Sequence, residues 1–98
     1  MMKIQGRIDA VKAPIFEKDI APLLEEGQQD APILDFTDVE YISSSGLRVL
    51  MHAARVLKMR DRKLTLTGVR PDVFSVLKMA GFCDFLDVNR LADEGGGI

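Results

Sequence analysis

Tryptophan is absent from these 98 residues, and cysteine, histidine and tyrosine occur once each. The single thiol, Cys83, cannot close an internal disulfide or form a CxxC pair. It also has no His or Cys neighbour at metal-ligand spacing, so no metal site is expected and a reducing compartment is the default. No apolar run approaches the roughly 18 residues of a membrane span. The start, Met1-Met2-Lys3-Ile4-Gln5-Gly6, lacks the charged and apolar regions of a signal peptide. The expectation is a soluble, cytoplasmic chain without membrane insertion. An excess of positive charge is missing too. The formal net charge is −2, which removes the basic field on which nucleic-acid binders depend. That charge is unevenly spread, with nine acids against five bases in residues 1–49 and six against eight in residues 50–98.

With 47% apolar and 29% charged residues, the chain has the composition and size of one compact domain, expected over residues 1–98. The expected burial is roughly two-thirds of the extended chain's surface, enough for a core without staples. Met2, Ile4 and Ile8 alternate with Lys3, Gln5, Arg7 and Asp9, the period of a strand with one wet face. Phe16, Ile20, Leu23 and Leu24 follow at helical spacing, opened near Pro14. Pro22 inside that run removes a donor and predicts a kink or two short pieces. Pro32 to Phe36 reads as a short buried strand, followed by a polar loop at Thr37-Asp38-Val39-Glu40.

Leu47, Leu50, Met51, Ala54 and Leu57 then form the clearest helical stripe, predicting a helix from about Ser45 to Met59. Lys63 to Thr67 alternates as a strand ending at Gly68. Pro71 opens a helix that stops at Gly81, and residues 82–88 read as a final edge strand. Residues 93–98, with three consecutive glycines, are expected to be a disordered tail. Alternating strands and helices predict an α/β domain with a mixed, mostly parallel sheet of about four strands. Right-handed crossovers would place the loops after the strands along one edge.

The densest chemistry is Tyr41-Ile42-Ser43-Ser44-Ser45-Gly46-Leu47, which sets three hydroxyls and a glycine at a strand-to-helix turn. Free backbone N–H groups and the helix dipole favour an anion there. The plainer reading is that one serine caps the helix by accepting from an N–H two or three residues on. A cap uses one serine, not three.

The stretch Ile33-Leu34-Asp35-Phe36-Thr37-Asp38-Val39-Glu40-Tyr41-Ile42-Ser43-Ser44-Ser45-Gly46-Leu47-Arg48-Val49-Leu50 resembles the signature of the STAS domain of bacterial anti-sigma factor antagonists. Gly6-Arg7-Ile8-Asp9-Ala10 resembles that family's early strand end. Residues 64–71 with residues 76–82 resemble its last strand–helix unit. The likeness spans about residues 4 to 88 in four ordered segments. It implies a single STAS domain and a phosphorylation-controlled binding protein with no cofactor. By position, Ser44 is the implied phosphoacceptor, and Asp9, Ser43, Ser45, Gly46 and Arg48 the implied partner surface. The implied partners are an anti-sigma factor that is also a serine kinase of the histidine-kinase-like ATPase fold, and a serine phosphatase that resets the cycle. Two departures stand out. Ser43 occupies a position where the family usually has Asp, and only three residues precede Ile4 where the family often has a further strand.

Other candidates are weaker. His52 lies on the polar side of its helix, about two turns from Ser45, too far to serve as a base for it. A small serine hydrolase therefore lacks its partners. Arg55, Lys58, Arg60, Arg62 and Lys63 form a basic cluster that complements a helix end, but no aromatic lies between Tyr41 and Phe74 to stack bases. Asp35, Asp38 and Glu40 read as loop solvation, and Met51, Met59 and Met79 as core filler or a soft binding surface. The alternative within the same fold is an adaptor subunit of a lipid or anion transport complex, not controlled by phosphorylation.

Overall fold

A computed structural model describes residues 1–29 and 31–91; the expected tail at 93–98 lies outside the described residues. The elements are β1 (Met2–Ile8), α1 (Ala13–Ile20), β2 (Ile33–Ile42), α2 (Ser44–Lys58), β3 (Thr65–Val69), α3 (Pro71–Met79) and β4 (Asp87–Arg90). The four strands form one sheet in the order β1-β2-β3-β4, and every pairing is parallel. Successive strands are neighbours, so right-handed crossovers put all three helices on the same face. Burial follows that arrangement. Ile4, Ile8, Leu34, Phe36, Leu66 and Val69 are buried toward the helices, while Lys3, Gln5, Asp35, Thr65 and Thr67 line a wetter face. This alternation is unusual for a parallel sheet, which is normally covered on both sides.

The core joins the inward strand residues to Phe16 and Ile20 of α1, Leu50 and Leu57 of α2, and Leu77 of α3. Phe16 meets Phe36 edge to face, with centroids 6.3 Å apart. Pro22 acts as expected: α1 ends at Ile20 and the chain tightens into a 3₁₀ turn over Ala21–Leu24.

The structure revises the sequence reading in three places. The polar loop expected at residues 37–40 is strand, because β2 continues to Ile42. Two register shifts against β1 give β2 extra residues, between Asp35 and Asp38 and between Val39 and Tyr41. The inward positions Phe36, Val39 and Ile42 are therefore spaced by three, which hides the strand's period of two. β3 does not end at Gly68 but runs on to Val69. It carries Gly68 at φ 64° beside a further register shift, and an added Cβ there would collide with the Thr37 hydroxyl. The last strand begins at Asp87, not Phe82. Gly81 turns left-handed (φ 81°) into a 3₁₀ turn over Phe82–Asp84, and the Leu86 N–H donates to the Phe82 carbonyl. Phe82 and Leu86 are both buried at helical spacing.

Candidate functional site

The serine cluster sits where β2 hands over to α2, on the carboxyl edge of the sheet. Ser43 keeps extended backbone (φ −86°, ψ 172°), and its Oγ accepts from the Gly46 N–H at 3.2 Å. This is an N-cap, which satisfies one of the open donors of the first turn. The Ser43 N–H donates to the Ile8 carbonyl at 2.8 Å, tying the turn to the end of β1. Gly46 is buried. A Cβ placed on it would stand 2.8 Å from Ile42 Cγ1 and 2.8 Å from Ile8 Cγ2, so only glycine lets α2 start this close to the sheet.

The cap and the glycine divide the three hydroxyls. Ser43 is engaged and half-buried, and Ser45 is half-buried. Ser44, the first residue of α2, is exposed, and among the described residues its hydroxyl makes no hydrogen bond. Arg48, also exposed, stands one turn along the same helix face.

The β1–α1 turn lies alongside. Asp9 is exposed, and its Oδ1 accepts from the Lys12 N–H at 2.8 Å. Its carbonyl accepts from the Ala13 N–H at 2.9 Å. The Ser43–Ile8 bond thus brings together the turns that carry Asp9, Ser43, Ser44, Ser45, Gly46 and Arg48. Sequence reasoning missed other groups here. Val11 is 80% exposed and Ile15 52% exposed, both off the Phe16–Ile20 stripe, a mismatch that was the available signal. Arg7 and Tyr41, register partners at the strand ends, stack with the guanidinium 4.5 Å from the ring centroid.

Two ionisable groups on the wetter face are tuned. The Thr37 hydroxyl donates to Asp35 Oδ1 at 2.6 Å and the Thr37 N–H donates at 3.0 Å, which lowers the Asp35 carboxyl pKa from its ordinary value. Lys3 donates to Asp38 at 3.0 Å, and its pKa is raised by that bond and by the carboxylate's charge.

His52 is exposed two turns beyond Ser44, about 12 Å along the axis. Among the described residues no group of three or more His, Cys, Asp or Glu side chains could hold a metal ion. No helix among them is long and apolar enough to cross a membrane. The arrangement leaves the exposed Ser44 hydroxyl open to another molecule, with His52 two turns away.

Fold and site together define a small parallel α/β domain with an exposed serine at a capped helix start. A family model of the STAS domain matches residues 1–94, and the chain belongs to that family. It is 31% identical over 85 residues to BtrV of Bordetella bronchiseptica, provisionally named an anti-sigma factor antagonist, covering 87% of this chain and 72% of BtrV. It is 26% identical over 89 residues to the anti-sigma-B factor antagonist of Staphylococcus epidermidis, covering 91% of this chain and 82% of that one. The fold matches a crystal structure from Thermotoga maritima, provisionally named in the same way, with a TM-score of 0.76. That match has 18% identity and covers 95% of this chain and 78% of the other.

Proposed function

We infer that this chain is an anti-sigma factor antagonist, a cytoplasmic, non-catalytic binding protein whose state is set by phosphorylation of Ser44. The observation that carries the reading is the division of labour in the turn. Ser43 caps, and Ser44 alone is exposed at the position that the family resemblance marks as the acceptor. In this cycle the unphosphorylated chain binds an anti-sigma factor that is also a serine kinase with a histidine-kinase-like ATPase fold. Phosphorylation releases the chain, and a serine phosphatase restores it.

The physics of the turn supports each state. Phosphate adds about −1.5 to −2 charges, and at the start of a 15-residue helix the backbone tolerates them. Folding survives the switch. At an interface the same group is desolvated and repelled by any acidic surface, and a penalty of roughly 3 kcal/mol weakens binding about a hundredfold. Asp9, Ser43, Ser45 and Arg48 form the polar part of the docking surface, with exposed Val11 and Ile15 as its apolar part; buried Gly46 holds α2 against the sheet beneath it. The change from the family's usual Asp to Ser43 leaves the cap intact, since Ser and Asp cap about equally well. What it removes is a charge.

Intact-mass spectrometry of the protein from its own cells, with fragmentation to locate the group, tests the reading against a Ser44→Ala control. One phosphate on Ser44 that vanishes in the control is the expected result. A chain that carries no phosphate under any growth condition would overturn the switch and favour a constitutive adaptor of a transport complex.

A further inference from the structure

At the other end of α2, a cavity of about 500 Å³ opens between the last turns of the helix, the α2–β3 loop and the 3₁₀ turn before β4. Its walls combine two kinds of chemistry. The Phe85 ring is 45% exposed and Ala54 is buried beside it. Arg55 and Lys58 also line it, and among the described residues neither makes an ion pair. Two other cations on the wall are engaged, Arg62 with the Gln28 carbonyl at 2.7 Å and Lys63 with Asp87 at 3.6 Å.

The helix dipole accounts for cations in the last turn of α2. It does not account for a concave site or for an aromatic ring left in water. Four cations stand against Asp61 and Asp84 on the wall and the Asp87 paired with Lys63, which leaves the cavity with a net positive charge beside an apolar wall. Its size falls within the range of small-molecule sites, which combine an apolar lining with a few charged groups that fix orientation.

The geometry points to a binding site for a small amphipathic anion, one that joins an aromatic body to a phosphate or carboxylate group. The body packs on Phe85 and Ala54, and the anionic group meets Arg55 and Lys58 through charge-assisted hydrogen bonds. The site's lining residues on α2, Ala54 to Lys58, stand about 15–21 Å along the helix from Ser44. It is independent of the switch proposed there.

Phenyl phosphate titrated into the ¹⁵N-labelled protein tests this, with inorganic phosphate and vesicles of anionic phospholipid as the other probes. Saturable shifts at Arg55, Lys58 and Phe85 are expected, with a Kd of about 1 mM or tighter and at least about tenfold below that of inorganic phosphate. Arg55→Gln with Lys58→Gln weakens binding at least about tenfold, and Phe85→Ser removes the preference for the phenyl group. All three side chains are exposed, so the variants fold. Three outcomes would overturn the proposal: equal affinity for inorganic phosphate, shifts that do not saturate or do not respond to the variants, and binding to vesicles without binding to phenyl phosphate.

Discussion

Two turns leave the same edge of the sheet side by side and solve one problem with different chemistry. After β1, the Asp9 carboxylate accepts from the N–H three residues on; after β2, the Ser43 hydroxyl does the same. The first solution spends a charged group and is followed by exposed Val11. The second spends a neutral group and is followed by a free hydroxyl and a buried glycine. Both turns need one side-chain oxygen at the first position, and the second needs Gly46 as well. The exposed Ser44 hydroxyl is left without a structural task, as the proposed modification requires.

The largest expected effect breaks the comparison on its functional side. Ser44→Glu places a permanent charge where the β2–α2 turn is neutral. It should weaken binding to the anti-sigma factor by roughly tenfold to a hundredfold in calorimetry. Its urea midpoint should stay within the range of a surface change, about 0.5 kcal/mol. A matching loss of stability would show that Ser44 has a structural task after all.

Gly46→Ala attacks the packing that only the second turn has. The added methyl meets two buried isoleucines at 2.8 Å, and overpacking of that kind costs about 1–3 kcal/mol. Chemical denaturation should show the loss against wild type, although alanine is the better helix former. An unchanged midpoint would mean that α2 slides outward freely, and the fixed height of Ser44 above the sheet would go with it.

Capping is the next smaller term, and it tests the equivalence of the two turns directly. Ser43→Ala should cost about 1 kcal/mol, while Ser43→Asp, which copies the chemistry of Asp9, should stay within a few tenths of wild type. The aspartate variant also restores the family's usual acidic neighbour. If its rate of Ser44 phosphorylation by the kinase proposed above equals that of wild type, the cap alone matters at this position and the charge does not.

How far these features could be read from the sequence depends on whether local pattern and tertiary geometry agree. The α2 stripe of Leu47, Leu50, Ala54 and Leu57 faces the core much as its spacing implies, and Pro22 ends α1 through a local rule, the missing N–H. β2 was legible only to Phe36, because its register shifts depend on β1, to which it pairs across about thirty residues of chain. Glycine after an alternating run reads as a strand end; here Gly68 makes room for Thr37 on the neighbouring strand. The serine cluster was visible as a turn, but three equivalent hydroxyls do not announce which one is the cap. Burial and the Gly46 N–H decide that.

Asp35 offers the finest contrast between the two faces of the sheet. On the covered face strand residues are held by packing; on the wetter face Asp35 is held by two hydrogen bonds from Thr37, which lower its pKa below the ordinary 3.8. A carboxyl whose pKa is lower in the folded than in the unfolded chain stabilises the fold above the unfolded value. That contribution is lost as pH falls through the folded one. Asp35→Asn keeps an acceptor for Thr37 but removes the titration. The stability advantage of wild type over the variant should therefore be constant above about pH 5 and shrink below the ordinary carboxylate range. For a half-buried group its size stays below about 1 kcal/mol. Paired urea titrations across that range measure it. A gap that persists unchanged into acid would mean that Asp35 acts through shape alone, and the wetter face would then be held as the covered one is, without help from charge.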